Sequence, residues 1–246
     1  MYKKLFKRSF IYIFIVCIYV LTSHFNLLNT IIIPKSNDLI TCFIDIIKSG
    51  ELLEHTIISL ERIFIGFFIS IALSVFFIII KYFAPKISDI YDNLLILLRY
   101  IPPLSLIGVL ILSLGINEAS KIAIIILASF YPIYLSFRKA LFYSDKELIE
   151  VGICFGYTKR EIFTKIIIKS SMPDIINGLN IGFGYAFRAI VAAEMIAASS
   201  GLGYLINDAF MMFRQDRLFV GIISIFLLSV VFENIFNLLG KKYARA

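Results

Sequence analysis

Residues 144–172 read SDKELIEVGICFGYTKREIFTKIIIKSSM, and they form the one long segment rich in charge in a chain that is otherwise mostly apolar. Two capping boxes, each a hydroxyl residue followed three positions later by glutamate, predict two helix starts: Ser144 with Glu147, and Thr158 with Glu161. Gly156 stands between the two predicted helices, where a left-handed residue would end the first of them. Pro173 is expected to stop the second helix. The stretch therefore predicts a rigid helix–glycine–helix unit.

Composition indicates that this unit belongs to a membrane protein. The chain has 246 residues, of which 60% are hydrophobic and only 17% charged, with a mean hydropathy of +0.91. Because soluble proteins carry about 25% charged residues, we expect an all-α, polytopic membrane protein with one transmembrane domain over residues 1–246. Apolar runs of about 20 residues predict six spans, at about 9–28, 57–80, 88–113, 119–138, 174–198 and 218–239.

The distribution of lysine and arginine predicts the orientation of these spans. With a cytoplasmic N-terminus, 16 basic residues lie inside and 5 outside, so both termini and the 144–172 unit are expected to be cytoplasmic. The basic start of the chain has the charge pattern of a signal peptide, but no small-residue cleavage site follows it, and residues 9–28 are interpreted as a retained span. Between the first two spans, the spacing of apolar residues in Pro34–Leu53 predicts a surface helix at the membrane face.

Several function classes are disfavoured by the sequence. A helix–glycine–helix unit with basic residues is also typical of DNA-binding helix-turn-helix domains, but the flanking spans argue against a nucleic-acid partner. No G-x-x-x-x-G-K-[ST] phosphate loop occurs, so any ATP must be hydrolysed by another chain. Three scattered cysteines and two isolated histidines form no metal or catalytic pattern. We expect a chain that is not an enzyme and has no catalytic residue, cofactor or metal of its own.

The 144–172 unit also resembles a known motif. The residues with the spacing of the EAA motif, which marks the permease subunits of bacterial ABC importers, are Glu150, Gly152, Gly156, Ile166 and Ile168. Three further segments resemble the nitrate, sulfonate and taurine branch of these permeases: SLERIFIGF (59–67), IPPLSLIGVLIL (101–112) and AAEMIAASSGLGYLI (192–206). The chain departs from the motif where Val151 and Gly152 replace its alanines and Lys169 replaces its proline.

The resemblance implies a type I ABC importer permease fold in a bacterial cell membrane. It implies that residues 144–172 dock in a cleft of an ATP-binding cassette ATPase, which binds ATP and Mg. The other implied partners are an extracytoplasmic solute-binding protein and a second permease copy, with transport by alternating access. The residues expected to couple this chain to the ATPase are Leu148, Glu150, Gly152, Gly156, Thr158 and Glu161.

Four residues are candidates for the translocation pathway: Arg188, Glu194, Pro102 and Pro103. A charge deep in a span is costly unless it faces protein or water. Arg188 and Glu194 are six positions apart and do not share a helix face. Arg188 would either help an anionic solute through or form an ion pair, with Glu194 of a neighbour or with Glu118. The two prolines are expected to kink or break the third span, as a gate or as a structural bend.

Two other segments have open alternatives. Small residues recur three or four positions apart through 178–197, and this smooth stripe would pack either within one subunit or against a second copy. Residues 199–217, outside the membrane by the predicted topology, would contact the solute-binding protein or form a reentrant cap on the pathway.

The resemblance favours a small anion such as a sulfonate, taurine or nitrate as the transported solute. The alternative within the family is a thiamine-pyrimidine precursor or a similar small heterocycle. From another class, the chain would be an ATP-independent carrier or channel, and a requirement for ATP in transport would separate the two classes.

Overall fold

The computed structural model describes residues 17–23, 25, 29, 32–142 and 146–243, and within these ranges the chain forms helices and connecting loops without a β-strand. Residues 17–23 are helical, while most of the predicted first span, 9–28, lies outside the described residues. The all-α fold is confirmed. The helices that follow are α1 (Ser36–Lys48), α2 (Glu51–Phe83), α3 (Pro85–Leu98), α4 (Ile107–Leu114), α5 (Glu118–Phe142), α6 (Lys146–Cys154), α7 (159–170), α8 (Met172–Ala197), α9 (Leu202–Met211) and α10 (Gln215–Tyr243).

Helix α1 is the predicted surface helix, and it packs on the start of α10. Its apolar side buries Cys42 and Ile46 against Val220. Within the predicted segment 34–53 the helical pattern was expected between Asn37-Asp38 and Gly50, and α1 agrees with these bounds, since the chain turns at Gly50 and α2 begins at Glu51. α2 then runs for 33 residues, or about 50 Å. This exceeds the hydrocarbon thickness of about 30 Å, so part of α2 reaches beyond the apolar layer.

The core lies where α5 packs against α2 on one side and against α8 on the other. A Cβ added to Gly66 of α2 would lie 2.6 Å from Ile125, and one added to Gly182 of α8 would lie 2.3 Å from Ile133. Small residues allow this close approach of backbones, which supports helix association in lipid. The small-residue stripe of α8 therefore packs within the chain, since these members are buried: Gly178, Gly182, Ala186, Ala189 and Ala193.

The third predicted span is broken at its two prolines, as expected. α3 and the segment Pro103–Leu114 meet at 90°, with Pro102 in an extended conformation between them. Proline has no amide N–H, and its ring collides with the preceding turn of a helix, which explains the break. Within the described residues, four helices are long and apolar enough to cross a membrane, and this bent pair makes a fifth if it counts as one span. The four long helices are α2, α5, α8 and α10.

The 144–172 stretch forms the predicted helix–glycine–helix unit between α5 and α8. Gly156 follows α6 with a φ of +75°, the left-handed conformation that glycine adopts at little cost. The capping box of Ser144 lies outside the described residues, whereas that of Thr158 and Glu161 is confirmed. α7 is π-helical over Ile162–Ile167, a feature that the sequence pattern did not reveal.

The second helix of the unit ends before Pro173, as predicted, and the same proline also belongs to the next helix. α7 ends at Ser170, and Pro173 lies in the first turn of α8. A proline fits there because the amide groups of a first turn have no partner within the helix. The second helix of the unit therefore passes into the following span with only a one-residue turn at Ser171.

Candidate coupling and transport sites

The joint between α6 and α7 is held by close packing and by the second capping box. Gly152 lies so near α7 that an added Cβ would lie 2.4 Å from Cδ1 of Ile166, which explains why this chain has glycine where the motif has alanine. Oγ1 of Thr158 accepts the N–H of Glu161 at 3.3 Å, and the Glu161 carboxylate accepts the N–H of Thr158 at 3.0 Å. The pKa of the Glu161 carboxyl is lowered to about 2, most strongly by the hydrogen bond from Lys165 and next by the hydrogen bonds from Thr158.

Aromatic and polar contacts fix this helix pair to the bundle. The ring of Phe163 in α7 lies 4.3 Å from the ring of Tyr82 near the end of α2. The Tyr82 hydroxyl donates to the carbonyl of Lys159 at 3.0 Å. Ser171, which follows α7, is buried and donates to the carbonyl of Ala140 in α5 at 2.5 Å. Because α7 is attached to both α2 and α5, a displacement of the pair is passed to the spans.

One face of α6 has no partner among the described residues. Leu148, Val151 and Phe155 follow the spacing i, i+3, i+7, and their side chains are 43%, 50% and 76% exposed. Glu150 beside them is exposed as well. An apolar face with this spacing is the pattern by which a helix docks in a groove of another protein. Leu148 and Glu150 are thus accessible in α6, and Gly156 and Thr158 are exposed at the joint. The residues that shape the joint are Gly152, Gly156, Thr158 and Glu161.

Glu194 is buried at the opposite end of the bundle, in a charge network around Arg62. All five N–H groups of the guanidinium have acceptors. Nη1 donates to Glu194 at 2.8 Å and to the carbonyl of Ser200 at 2.7 Å, and Nε and Nη2 donate to the two carboxylate oxygens of Glu118 at 2.6 and 2.7 Å. Nη2 also donates to Oγ of Ser200 at 3.2 Å. Lys121 binds Glu118 at 2.8 Å, so two cations balance two carboxylates.

The Glu194 carboxylate also caps the N-terminus of α9. Three successive backbone N–H groups at the start of this helix donate to side chains of α2 and α8: Gly201 to His55 Nδ1 at 3.1 Å, Leu202 to Ser59 Oγ at 2.8 Å, and Gly203 to Glu194 Oε2 at 3.0 Å. The first N–H groups of a helix lack intrahelical partners and favour a negative charge. Glu194 therefore serves as an internal anion that ties α9 to the bundle. Its proposed role in the translocation pathway stays a prediction.

Arg188 lies on a different face of α8 from Glu194. It is exposed and lines a cavity of about 730 Å³ between α8 and α10, which Glu233 lines from the α10 side. Pro102 and Pro103 do not line this cavity; they lie at the break between α3 and α4. The structure therefore does not bring the four predicted pathway residues together.

Three residues of these sites were missed as site residues by the sequence analysis: Ser59, Arg62 and Glu233. Ser59 and Arg62 share a helix face in the SLERIFIGF segment, and a charge inside an apolar run was the available signal for Arg62. The same criterion that selected Arg188, a lone charge in mid-span, applies equally to Glu233.

Comparison with known proteins establishes the family. Residues 70–245 match the family described as binding-protein-dependent transport system inner membrane component. The chain belongs to this family. The permease is 34% identical over 220 residues to the putative ABC transporter permease protein MJ0413 of Methanocaldococcus jannaschii, covering 87% of this chain and 82% of that protein. The expectation of an ABC importer permease subunit that resides in a membrane is therefore confirmed.

Other relatives of the permease have names that specify a solute. The putative aliphatic sulfonates transport permease protein SsuC of Escherichia coli is 30% identical over 231 residues, covering 94% of this chain and 88% of SsuC. The formylaminopyrimidine transport permease protein ThiX of Halalkalibacterium halodurans is more distant, at 26% over 177 residues, covering 72% of this chain and 71% of ThiX.

A solved structure confirms the type I ABC importer permease fold. The permease superimposes on a chain of an amino acid ABC transporter crystallised with histidines, with a TM-score of 0.67 over 81% of this chain and 98% of that chain. The two sequences are 15% identical, so the likeness concerns the fold alone.

Proposed function

We propose that this permease subunit imports a small sulfonate by alternating access, driven by ATP hydrolysis on a partner ATPase. The observation that carries the proposal is the exposed apolar face of Leu148 and Val151 in α6 and Phe155 just after it, together with the exposed Glu150, on a helix pair attached to α2 and α5. ATP and Mg would be bound by the ATPase, and a solute-binding protein would deliver the sulfonate to the other end of the bundle.

The proposed orientation places the α6–α7 end in the cytoplasm. Basic residues gather at this end of the helices, which agrees with the positive-inside rule. Those in the described residues are Lys81, Lys86, Arg138, Lys139, Lys159, Arg160, Lys165, Lys169, Lys241 and Lys242. Both chain termini would then be cytoplasmic.

A second copy of the permease is proposed to face α8 and α10. These helices carry exposed charged side chains in mid-span, Arg188 and Glu233, and such groups are not tolerated against lipid. A homodimer around a central water-filled path would shield both.

The sulfonate class is supported by the likeness to SsuC, which extends over nearly the whole chain. Import of a thiamine-pyrimidine precursor is the second candidate, supported by the shorter and weaker likeness to ThiX. Membership of an ABC transporter family argues against the ATP-independent carrier or channel.

Charge reversal on α6 tests the coupling role. Glu150→Lys is expected to leave the protein in the membrane and to abolish uptake, because a cation would stand in the contact with the ATPase. Glu54→Lys, the same change at an exposed position in the first turn of α2, serves as the matched control and should transport normally. Normal uptake by Glu150→Lys would refute docking through this face.

The partners and the solute are tested together by gentle extraction of the tagged permease. Mass spectrometry of the co-purifying chains should identify an ATPase and a solute-binding protein. That binding protein is then tested with taurine, alkanesulfonates, nitrate and formylaminopyrimidine. Binding of the pyrimidine without any sulfonate would replace the first candidate by the second.

A further inference from the structure

The middle of α8 and the middle of α10 each carry a single charged residue. In α8, Arg188 is the only charge in 175–193, and in α10, Glu233 is the only charge in 218–240. Arg188 lies about 14 Å along the axis from Ala197, and Glu233 lies about 15 Å from Tyr243, at about 1.5 Å per residue. Both charges therefore occupy the middle of a span, where each is expensive unless water or protein surrounds it.

Both side chains line the same cavity of about 730 Å³, whose other lining residues are mostly apolar or aromatic. Neither forms an ion pair with any residue that the structure describes. The guanidinium of Arg188 lies 5.8 Å from the ring of its neighbour Tyr185. An apolar cavity with two opposite and unpaired charges has the composition of a ligand site, in which a few polar groups fix the orientation of the bound molecule.

The two charges lie at different depths in the bundle. The ring of Phe183 in α8 is 4.6 Å from Phe232 and 5.6 Å from Phe236, which places Glu233 level with Phe183. Arg188 is five residues further along α8, or about 8 Å. Long side chains can close part of that offset, so a short molecule with a charge at each end would reach both groups.

The cavity continues toward the α6–α7 end of the bundle. Asn180 lines it and also lines a second cavity of about 290 Å³, together with Asn177, Asn237 and Lys241. This second cavity is lined by amides and one cation and has no carboxylate. The two cavities together form a groove along α8 and α10, mostly apolar around Arg188 and Glu233 and more polar toward the α6–α7 end.

We propose that the Arg188–Glu233 cavity binds a dipolar solute of the aminoalkanesulfonate class, with the sulfonate at Arg188 and the ammonium at Glu233. The inference rests on the proposed sulfonate import and names the kind of sulfonate. A plain alkanesulfonate or nitrate would satisfy Arg188 and leave the Glu233 carboxylate without a counter-charge in an apolar cavity, which is costly.

The test compares two solutes of equal length in proteoliposomes that contain the permease, its ATPase and its solute-binding protein. Taurine carries an ammonium, and isethionate carries a hydroxyl in its place. Glu233→Gln should lower taurine uptake by about tenfold or more, the effect of losing a hydrogen bond to a charged group. It should leave isethionate uptake unchanged or raise it, because the carboxylate without a counter-charge is gone. Arg188→Gln should lower the uptake of both solutes. Ser229→Ala, which changes the same cavity without changing its charge, is the control.

Equilibrium dialysis of labelled taurine against the purified permease–ATPase complex, without binding protein, provides a second measurement, and binding should be lost in Glu233→Gln. Equal loss of both solutes in Glu233→Gln would overturn the inference. Equal uptake of taurine and isethionate by the wild type also overturns the inference but leaves the proposed sulfonate import intact. If the wild type takes up neither solute, the inference and the proposed sulfonate import are both overturned.

Discussion

Replacing Arg62 by methionine is expected to be among the most damaging single changes in this permease. The substitution keeps an unbranched chain of similar length and removes five hydrogen bonds at once. Glu194, whose side chain has no exposed surface, would keep its negative charge without a cation beside it. Breaking a buried ion pair in this way costs about 3–5 kcal/mol.

The matched control is Lys121→Met. Lys121 also binds Glu118, but the Glu118 side chain is 56% exposed and keeps Arg62 and water as partners. An ion pair with so exposed a partner contributes about 0–1 kcal/mol. The two variants remove one cation each from the same network, so their difference reports mainly the contacts that Arg62 makes beyond Glu118, with Glu194 and Ser200.

Thermal unfolding of the purified protein in detergent measures the difference. At about 2–4 °C per kcal/mol for a chain of this size, Arg62→Met should lower Tm by roughly 6–20 °C, and Lys121→Met by less than about 4 °C. Adding Glu194→Gln to Arg62→Met should recover part of the loss, because the buried charge is gone. If Arg62→Met and Lys121→Met lower Tm by the same amount, the network does not hold the bundle together and the reasoning is refuted.

Three further predictions concern backbone geometry and protonation. Gly156→Val should destabilise the α6–α7 joint by about 1–2 kcal/mol, because φ is +75° there; limited proteolysis within 144–172 should become faster, and unchanged resistance would contradict the helix–glycine–helix unit. Gly203→Ala should lower Tm, because its Cβ would lie 2.3 Å from the carbonyl oxygen of Val191, a backbone atom that cannot move aside without displacing α8. The pKa of Glu161 is lowered to about 2, so its stabilisation is present above its ordinary pKa of about 4.5 and is lost only as the pH falls through about 2. Hydrogen exchange of the first α7 amides, corrected for intrinsic rates, should therefore show the same protection at about pH 5.5 as at about pH 7 and decline progressively below about pH 4.5, and Glu161→Gln should lose this protection at both higher pH values.

Features of the fold that depend on local sequence were predictable. The apolar runs over 119–138, 174–198 and 218–239 correspond to α5, α8 and α10. They were predictable because each of these helices is apolar along its own length, whether its side chains face the protein or the membrane. The break at Pro102 and Pro103 and the capping box at Thr158 also follow from chemistry within a few residues. Local chemistry is less decisive for Pro173, because a proline is compatible both with the end of one helix and with the first turn of the next.

The network around Arg62 was not predictable, because its members are distant in sequence. Arg62 and Glu194 are 132 positions apart, and their pairing depends on how α2 and α8 pack on either side of α5. Sequence periodicity assigned Glu194 to a costly position in a span but could not tell whether protein or water surrounds it. The π-helical segment of α7 was also missed, because no local sequence pattern marks one extra residue in a turn; within this segment Phe163 packs against Tyr82 of α2.

The unbroken length of α2 makes the two ends of the permease geometrically dependent on each other. Tyr82, at one end, is stacked on α7, and Arg62 lies 20 residues away, about 30 Å along a straight helix. A tilt of only 5° about Tyr82 swings Arg62 sideways by about 3 Å, as much as the full length of one of its hydrogen bonds. While α2 stays straight, no push on the α6–α7 pair that tilts this helix can leave the Arg62 network unchanged.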